Sequence, residues 1–226
     1  QPSSAPSLNR YVDMTDCLMI FAKAPVAGRC KTRLKLDEAR ALALHCAFVQ
    51  DVINSSTGDW SQEIWTTDAT HPFFAQFNLP IRQQVGATLG DRLSHAFAKT
   101  LCDYDRVAVI GTDSPSLPNA YLRQGFLALD THDAMVGPSC DGGYYALGLN
   151  KRCDAVFNAS IPWGEDGVCL RTLKILKAVN FRTHVLPFWF DVDRPEDLDL
   201  LNVLDDQGVH PRTTLVLRDL MPSESE

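Results

Sequence analysis

Asp113 is where a chemical reading of this chain begins. It lies in Arg106-Val-Ala-Val-Ile-Gly-Thr-Asp-Ser-Pro-Ser-Leu-Pro118, where a short β-branched run is stopped by Gly111 and Pro115. Such a run has the make-up of a strand buried on both faces, so Asp113 is delivered just past its carboxyl end. Ligands of open α/β sheets sit at that edge, and a carboxylate there would hold a divalent ion, Mg2+ or Mn2+, against phosphate oxygens. The plainer use of an Asp at this place is to cap the next helix. Asp191-Val-Asp193-Arg-Pro-Glu-Asp-Leu198 offers two further carboxylates. Asp191 or Asp193 would join Asp113 on one ion, while Asp193 with Glu196 would equally form a capping box.

The complement to these carboxylates is Lys23-Ala-Pro-Val-Ala-Gly-Arg-Cys-Lys-Thr-Arg-Leu-Lys35, which holds five of the 21 basic residues and no acidic one. On a turn between strand and helix, such a cluster suits a di- or triphosphate, which needs backbone N–H groups, guanidinium forks and an ammonium together. A solvated basic turn is the alternative. Neither the Walker loop nor the Gly-x-Gly-x-x-Gly dinucleotide turn is present. Leu89-Gly90-Asp91-Arg92 opens a helix, where Asp91 favours the dipole and Arg92 would meet a phosphate. Asp141-Gly142-Gly143-Tyr144-Tyr145 reads both as a tight hairpin and as a place where backbone can approach a sugar or an acceptor. Trp163, after Ile161-Pro162, would be a stacking platform or a lid on the core.

These residues need a scaffold that brings distant segments to one edge. Strands are expected at Cys17 to Ala22, Glu63 to Thr67, Ile81 to Gln84, around Val107, at Ala134 to Gly137, Tyr144 to Leu149 and Thr183 to Leu186. Helical spacing marks Asp37 to Asn54, Phe73 to Phe77, Gly90 to Leu101, Pro118 to Leu129, Glu165 to Val179 and Pro195 to Leu204. The alternation predicts an α/β fold, a three-layer α/β/α sandwich around a mostly parallel mixed sheet. One domain would span residues 14–210. Residues 1–13 read as a flexible leader, and residues 211–226 as a tail that frays, in which Thr213 to Leu217 would add an edge strand.

A net charge of −7 argues against a protein that wraps nucleic-acid backbone, and the apolar runs are too short to span a bilayer. Seven cysteines without a Cys-x-x-Cys pair suggest reduced thiols and a cytoplasmic location rather than a disulfide frame or zinc site. The six scattered histidines offer no His-x-x-x-His pair, which disfavours a histidine-based metal site.

Five segments in order resemble one family, DUF2064: Phe21 to Leu34, Leu89 to Arg92, Ile110 to Leu117, Gly137 to Tyr145 and Asp191 to Leu198. That family is labelled a glycosyltransferase of the GT-A, or nucleotide-diphospho-sugar transferase, superfamily. The resemblance implies a nucleotide bound over the loop of Ala22, Lys23, Gly28, Arg29, Lys31 and Arg33, to which the helix opening at Asp91 and Arg92 would add, with Asp113, Asp191 and Asp193 as metal ligands. The residues read above add candidate substrate contacts at Gly142, Gly143, Tyr144 and Trp163, with Lys31, Arg33 and Asp141 as the candidate catalytic residues. The Asp-x-Asp of GT-A glycosyltransferases is represented by Asp113 alone. Lys31-Thr-Arg-Leu34 also looks like the loop of nucleotidylyltransferases in the same superfamily, such as the phospholactate guanylyltransferases. Three functions stay open: glycosyl transfer from a nucleotide sugar to a small acceptor, nucleotidyl transfer from a nucleoside triphosphate with release of pyrophosphate, and nucleotide binding without turnover.

Overall fold

Residues 17 to 22 are apolar at every position because both faces of this strand are covered. The computed structural model of the protein describes residues 15–158, 161, 163, 167–204 and 210–220. In it β1 (Asp16–Ala22) runs through a seven-stranded sheet. Leu18, Ile20 and Ala22 enter a core with Val49, Val52, Leu122 and Phe126. Cys17 and Met19 point the other way, toward Leu93, Phe97 and Leu176. The period of two along one strand thus feeds two separate cores.

The other strands are β2 (Ser61–Thr66), β3 (Ile81–Gln83), β4 (Arg106–Ile110), β5 (Ala134–Pro138), β6 (Tyr144–Leu149) and β7 (Thr183–Val185). Their spatial order is β3-β2-β1-β4-β6-β5-β7. β6 runs antiparallel to β4 and β5, and the remaining pairings are parallel. The helices are α1 (Glu38–Ser55), α2 (Leu89–Thr100), α3 (Asn119–Ala128), α4 (Val168–Ala178), α5 (Pro195–Val203) and α6 (Pro211–Leu220). α1 and α3 cover one face, α2 and α4 the other. α5 and α6 join α1 around Leu44, Phe48, Val192, Leu198, Leu201 and Leu217. The expected α/β/α sandwich with a mostly parallel sheet is what forms.

From β1 the chain turns first toward β2 and β3, then returns to place β4 on the opposite side of β1. Connections leaving two neighbouring parallel strands in opposite directions open a crevice beyond their carboxyl ends. The basic loop after β1 and the Asp113 loop after β4 both lie there.

Several boundaries differ from the sequence expectation. Pro118 is the N-cap of α3 and not its first helical residue. The amino end of the helix expected from Glu165 lies outside the described residues, and α4 begins at Val168. The expected leader and residues 221–226 are also outside them. Thr213 to Leu217 forms no edge strand but part of α6. The β-branched composition suggested a strand, yet Thr213, Thr214 and Leu217 are the residues that bury, at the three- and four-residue spacing of one helix face. Buried Asp51 on α1 completes the arrangement, accepting the N–H of Arg212 at 3.1 Å and of Thr213 at 2.6 Å. Among the described residues no helix is long and apolar enough to cross a membrane.

Since one buried carboxylate answers two N-terminal N–H groups of α6, Asp51→Ala is expected to cost roughly 2–3 kcal/mol in urea unfolding. Asp51→Asn, which keeps one acceptor oxygen, should cost about half as much. Equal stability of both variants and the parent would show that α6 is held by its apolar face alone.

Candidate functional site

The basic loop reaches the sheet edge through a backbone device. Thr32–Leu34 make a single 3-10 turn, bracketed by Lys31 and Lys35 with φ of 50° and 56°. Left-handed conformations at non-glycine residues carry a small cost, and here they reverse the chain so that neighbouring side chains diverge. The Lys31 side chain turns inward and is 3% exposed; that of Arg33 turns out and is 75% exposed.

Inside, the Lys31 ammonium donates to Asp113 Oδ1 at 2.6 Å and to the Val192 carbonyl at 2.7 Å. It also lies 4.4 Å from the centroid of the Phe48 ring. A buried ammonium requires such compensation, and the third N–H is left over. The backbone repeats the link, with Val192 N–H donating to the Asp113 carbonyl at 2.8 Å. The loop after β1, the loop after β4 and the segment before α5 are thereby joined at one point.

That point borders a cavity of about 1120 Å³. Lys23, Arg29, Lys31, Arg33 and Arg92 line it, as do Asp91, Asp113 and Asp193. Among the described residues, the Lys23 and Arg29 side chains have no ion-pair or hydrogen-bond partner. A smaller cavity of about 210 Å³ also touches Asp113 and is bounded by Asp191, Tyr144, Phe21 and Leu93.

The carboxylates titrate differently because their neighbours differ. Burial works hardest against ionisation of Asp113, but the Lys31 charge and hydrogen bond, helped by His45 and Lys23, outweigh it and hold its pKa below the usual range. Burial pushes Asp191 up to about 6; the Ser114 hydroxyl, which donates to it, opposes this, and Asp113, Asp141 and Asp193 add to it. Asp193 is raised by burial and then by Asp113, with Lys31 and Arg33 lowering it. His45, whose Nε2 sits 3.0 Å from the Lys23 carbonyl, is lowered by burial.

Asp113 and Asp193 suit a hard divalent ion. With Oδ1 held by an almost fully buried lysine, the Asp113 side chain is still 50% exposed, and among the described residues Oδ2 has no hydrogen-bond or ion-pair partner. Asp193 borders the same cavity, and among the described residues only exposed Arg33, at 3.7 Å, pairs with its carboxylate. Asp191 instead takes the Ser114 hydroxyl and lines the smaller cavity. Among the described residues no three His, Cys, Asp or Glu side chains cluster as a complete ion cage. Mg2+ bound by one or two carboxylates, with waters and phosphates completing its shell, needs no such cage.

The alternative capping roles are resolved. Among the described residues Asp113 caps no helix, and its carboxylate goes to Lys31. The capping box before α5 uses Asp197, which accepts from the Asp193 and Arg194 N–H groups at 2.9 and 2.7 Å, in place of the expected Asp193 and Glu196. Asp193 is thereby released from helix capping. Asp91 is not released: it closes a box with Thr88, accepting at 2.9 Å and answered at 3.1 Å. Arg92 donates through Nε to the Gly86 carbonyl at 3.0 Å.

Asp141, Gly142 and Gly143 form the tip of the β5–β6 hairpin and border neither cavity. Asp141 accepts from the Ser139 hydroxyl and, at 2.9 Å, from Gly143 N–H, while Gly142 carries a φ of 89°. Tyr144 borders the smaller cavity with its hydroxyl unpartnered, and its ring meets Trp163 edge-on at 6.4 Å. Trp163 lines the larger cavity and also rests on Gly90, where a Cβ would come within 2.4 Å of Nε1, so it is both lid and wall. Ala22 and Gly28 border neither cavity; Ala22 ends β1, and Gly28, with φ of 73°, turns the loop. Sequence reading missed His45, Thr67, Gln84 and Thr88 in the lining. Thr67 and Gln84 follow the carboxyl ends of β2 and β3, a signal that the strand pattern contained.

A family profile described as "Uncharacterized protein conserved in bacteria (DUF2064)" matches residues 46–165. Among solved structures, a protein of Desulfovibrio desulfuricans G20 with the provisional label nucleotide-diphospho-sugar transferase is 33% identical, with a TM-score of 0.84 over 91% of this chain and 95% of that one. CMP:2-keto-3-deoxy-manno-octonic acid synthetase complexed with CTP is 11% identical, with a TM-score of 0.54 over 86% of this chain and 99% of that one. A 4-diphosphocytidyl-2C-methyl-D-erythritol synthase from Anaerococcus prevotii DSM 20548 is 10% identical, with a TM-score of 0.58 over 88% and 100%. The last two share the fold alone. No curated protein matches the chain.

An acid whose pKa is higher in the folded protein lends stability below its unfolded pKa and withdraws it as pH rises through the folded value. For Asp191 that window runs from the ordinary 3.8 to about 6. Asp191→Asn should therefore gain roughly 1–3 kcal/mol relative to the parent on going from about pH 4 to about pH 7.5. Urea midpoints at the two pH values test this, and parallel midpoints would contradict it. Asp113 acts in the opposite sense, its contribution fading as pH falls through its lowered pKa.

Proposed function

The chain belongs to the DUF2064 family and has the nucleotide-diphospho-sugar transferase fold, and from that premise we propose that it is a transferase working on a nucleotide-activated donor. The reaction we assign is metal-dependent glycosyl transfer from a nucleotide sugar to a small-molecule acceptor. The observation that carries this reading is the meeting of a basic strand-to-helix loop with Asp113 and Asp193 on one cavity. Lys23 and Arg29 line that cavity with no partner among the described residues, which supports an anionic ligand. Seven free thiols support a reducing, cytoplasmic setting. Residues 14–210, with α6 packed on them, would act as one domain.

In this assignment Lys23, Arg29, Lys31 and Arg33 bind the diphosphate, with Ala22 and Gly28 shaping the loop beneath it. Arg92 approaches the phosphates from α2, whose first turn Asp91 holds in place. Asp113 and Asp193 would hold Mg2+ or Mn2+, and Asp191 would join them only by giving up Ser114. An ion held there would supply Lewis-acid charge for the departing nucleoside diphosphate. Lys31 and Arg33 share that task, because fixed cations in a site shielded from water act without reorganising. Tyr144 and Trp163 would border the acceptor, whereas Gly142 and Gly143, which line neither cavity, would only shape the hairpin behind them. Asp141 would accept a proton only after Ser139 releases it.

A second reading keeps the same residues. An acceptor phosphate attacks the α-phosphate of a nucleoside triphosphate, the bond to the β-phosphate breaks, and pyrophosphate leaves. The buried Lys31 beside Asp113 favours it, since pyrophosphate concentrates more charge at that position.

Incubation with nucleotide sugars and nucleoside triphosphates plus manganese, across a set of small acceptors, tests the assignment. Release of nucleoside diphosphate is the expected result; pyrophosphate would move the assignment to nucleotidyl transfer, and binding without product to a non-catalytic nucleotide-binding protein. Asp113→Asn should stay folded and lower turnover by about 10²–10³-fold, the size typical of losing one charge-stabilising group. Unchanged metal-dependent nucleotide binding in that variant would remove Asp113 from the site.

A further inference from the structure

Resting on that reading, we propose that Lys31 is an internal counter-ion that bars a free divalent cation from Asp113, so that metal is taken up only together with the phosphates of a nucleotide. Each carboxylate suited to the ion already faces a cation: Asp113 has Lys31 at 2.6 Å and Asp193 has Arg33 at 3.7 Å. The first of these cations is not free to move aside. It is tied as well to the Val192 carbonyl at 2.7 Å, packed 4.4 Å from the Phe48 centroid, and 3% exposed. Around this pair, the larger cavity presents five cationic side chains against three carboxylates, in a chain whose net charge is −7. The basic excess is therefore local to the one place where a metal would bind.

A divalent ion arriving alone at Asp113 Oδ2 would stand beside the Lys31 ammonium, which already cancels the charge of that carboxylate, and like charges at such range repel strongly away from bulk water. A phosphate chain reverses the balance. Its oxygens answer Lys23, Arg29 and the remaining N–H of Lys31, and they supply most of the ligands of the ion. Lys31 thus sets the sequence of binding without leaving its place.

Mn2+ binding by the full chain, followed through loss of the free-ion paramagnetic resonance signal, is measured without nucleotide and with UDP, GDP or CDP. Without nucleotide, Lys31→Met, which retains an unbranched apolar stem and drops the charge, should bind Mn2+ at least about tenfold tighter than the parent. Adding Asp113→Asn to that variant should abolish the gain. In the parent, tight Mn2+ uptake should need one of the three nucleotides. A parent that binds Mn2+ alone as tightly as Lys31→Met overturns the proposal. If Lys31→Met does not fold, Arg33→Gln, at an exposed side chain, must still raise nucleotide-free Mn2+ affinity, and no rise overturns it equally. If none of the nucleotides binds the parent, the transferase reading fails, whereas the nucleotide-free comparison still decides the role of Lys31.

Discussion

An ammonium withdrawn from water must find its charge and its hydrogen bonds answered by the protein, and Lys31 imposes that demand on the whole site. The answer comes from segments far apart in the chain: Asp113 after β4, the Val192 carbonyl before α5, and Phe48 on α1. The left-handed backbone at Lys31 and Lys35 is the local cost of aiming one basic residue inward while leaving Arg33 in solvent. Because Val192 N–H also donates to the Asp113 carbonyl, the loops are coupled through main chain as well as side chain.

The sheet makes this convergence possible. β1 and β4 are parallel neighbours, and the chain leaves them toward opposite edges. A gap at their carboxyl ends is the geometric result, since no connection crosses it. The residues beyond β2 and β3 widen the same gap on the side away from Asp113, which accounts for Thr67 and Gln84 in its wall. Two cores, one on each side of β1, hold the edge rigid beneath the loops.

Acidic residues at the rim divide into those engaged in local structure and those left for long-range work. Asp91, Asp141 and Asp197 are satisfied by backbone N–H groups within a few residues of themselves. Asp113 and Asp193 are not, and Asp191 takes a hydroxyl 77 positions away. Short polar side chains always have this choice between a nearby turn and a distant partner. With Asp197 taking the capping task before α5, Asp193 faces the cavity and feels the charge of Asp113.

The layered fold, and the sheet edge at which the basic and acidic loops meet, were legible in the amino acids alone. Continuous apolar runs such as residues 17 to 22 can only be strands covered on both faces, and alternation with helical spacing then implies a parallel sheet with a site at its carboxyl edge. The local basic excess from Lys23 to Lys35 was equally visible, because charge density is a property of composition. Tertiary structure decided which polar groups satisfy one another. It buried Lys31 and exposed Arg33 two residues later, and it bound Asp141 within its hairpin. It also turned Thr213 to Leu217 into a helix capped by Asp51 from α1. Each outcome depends on the distance to a group from another part of the chain, or on a backbone angle that packing imposes, and neither quantity is written in local sequence.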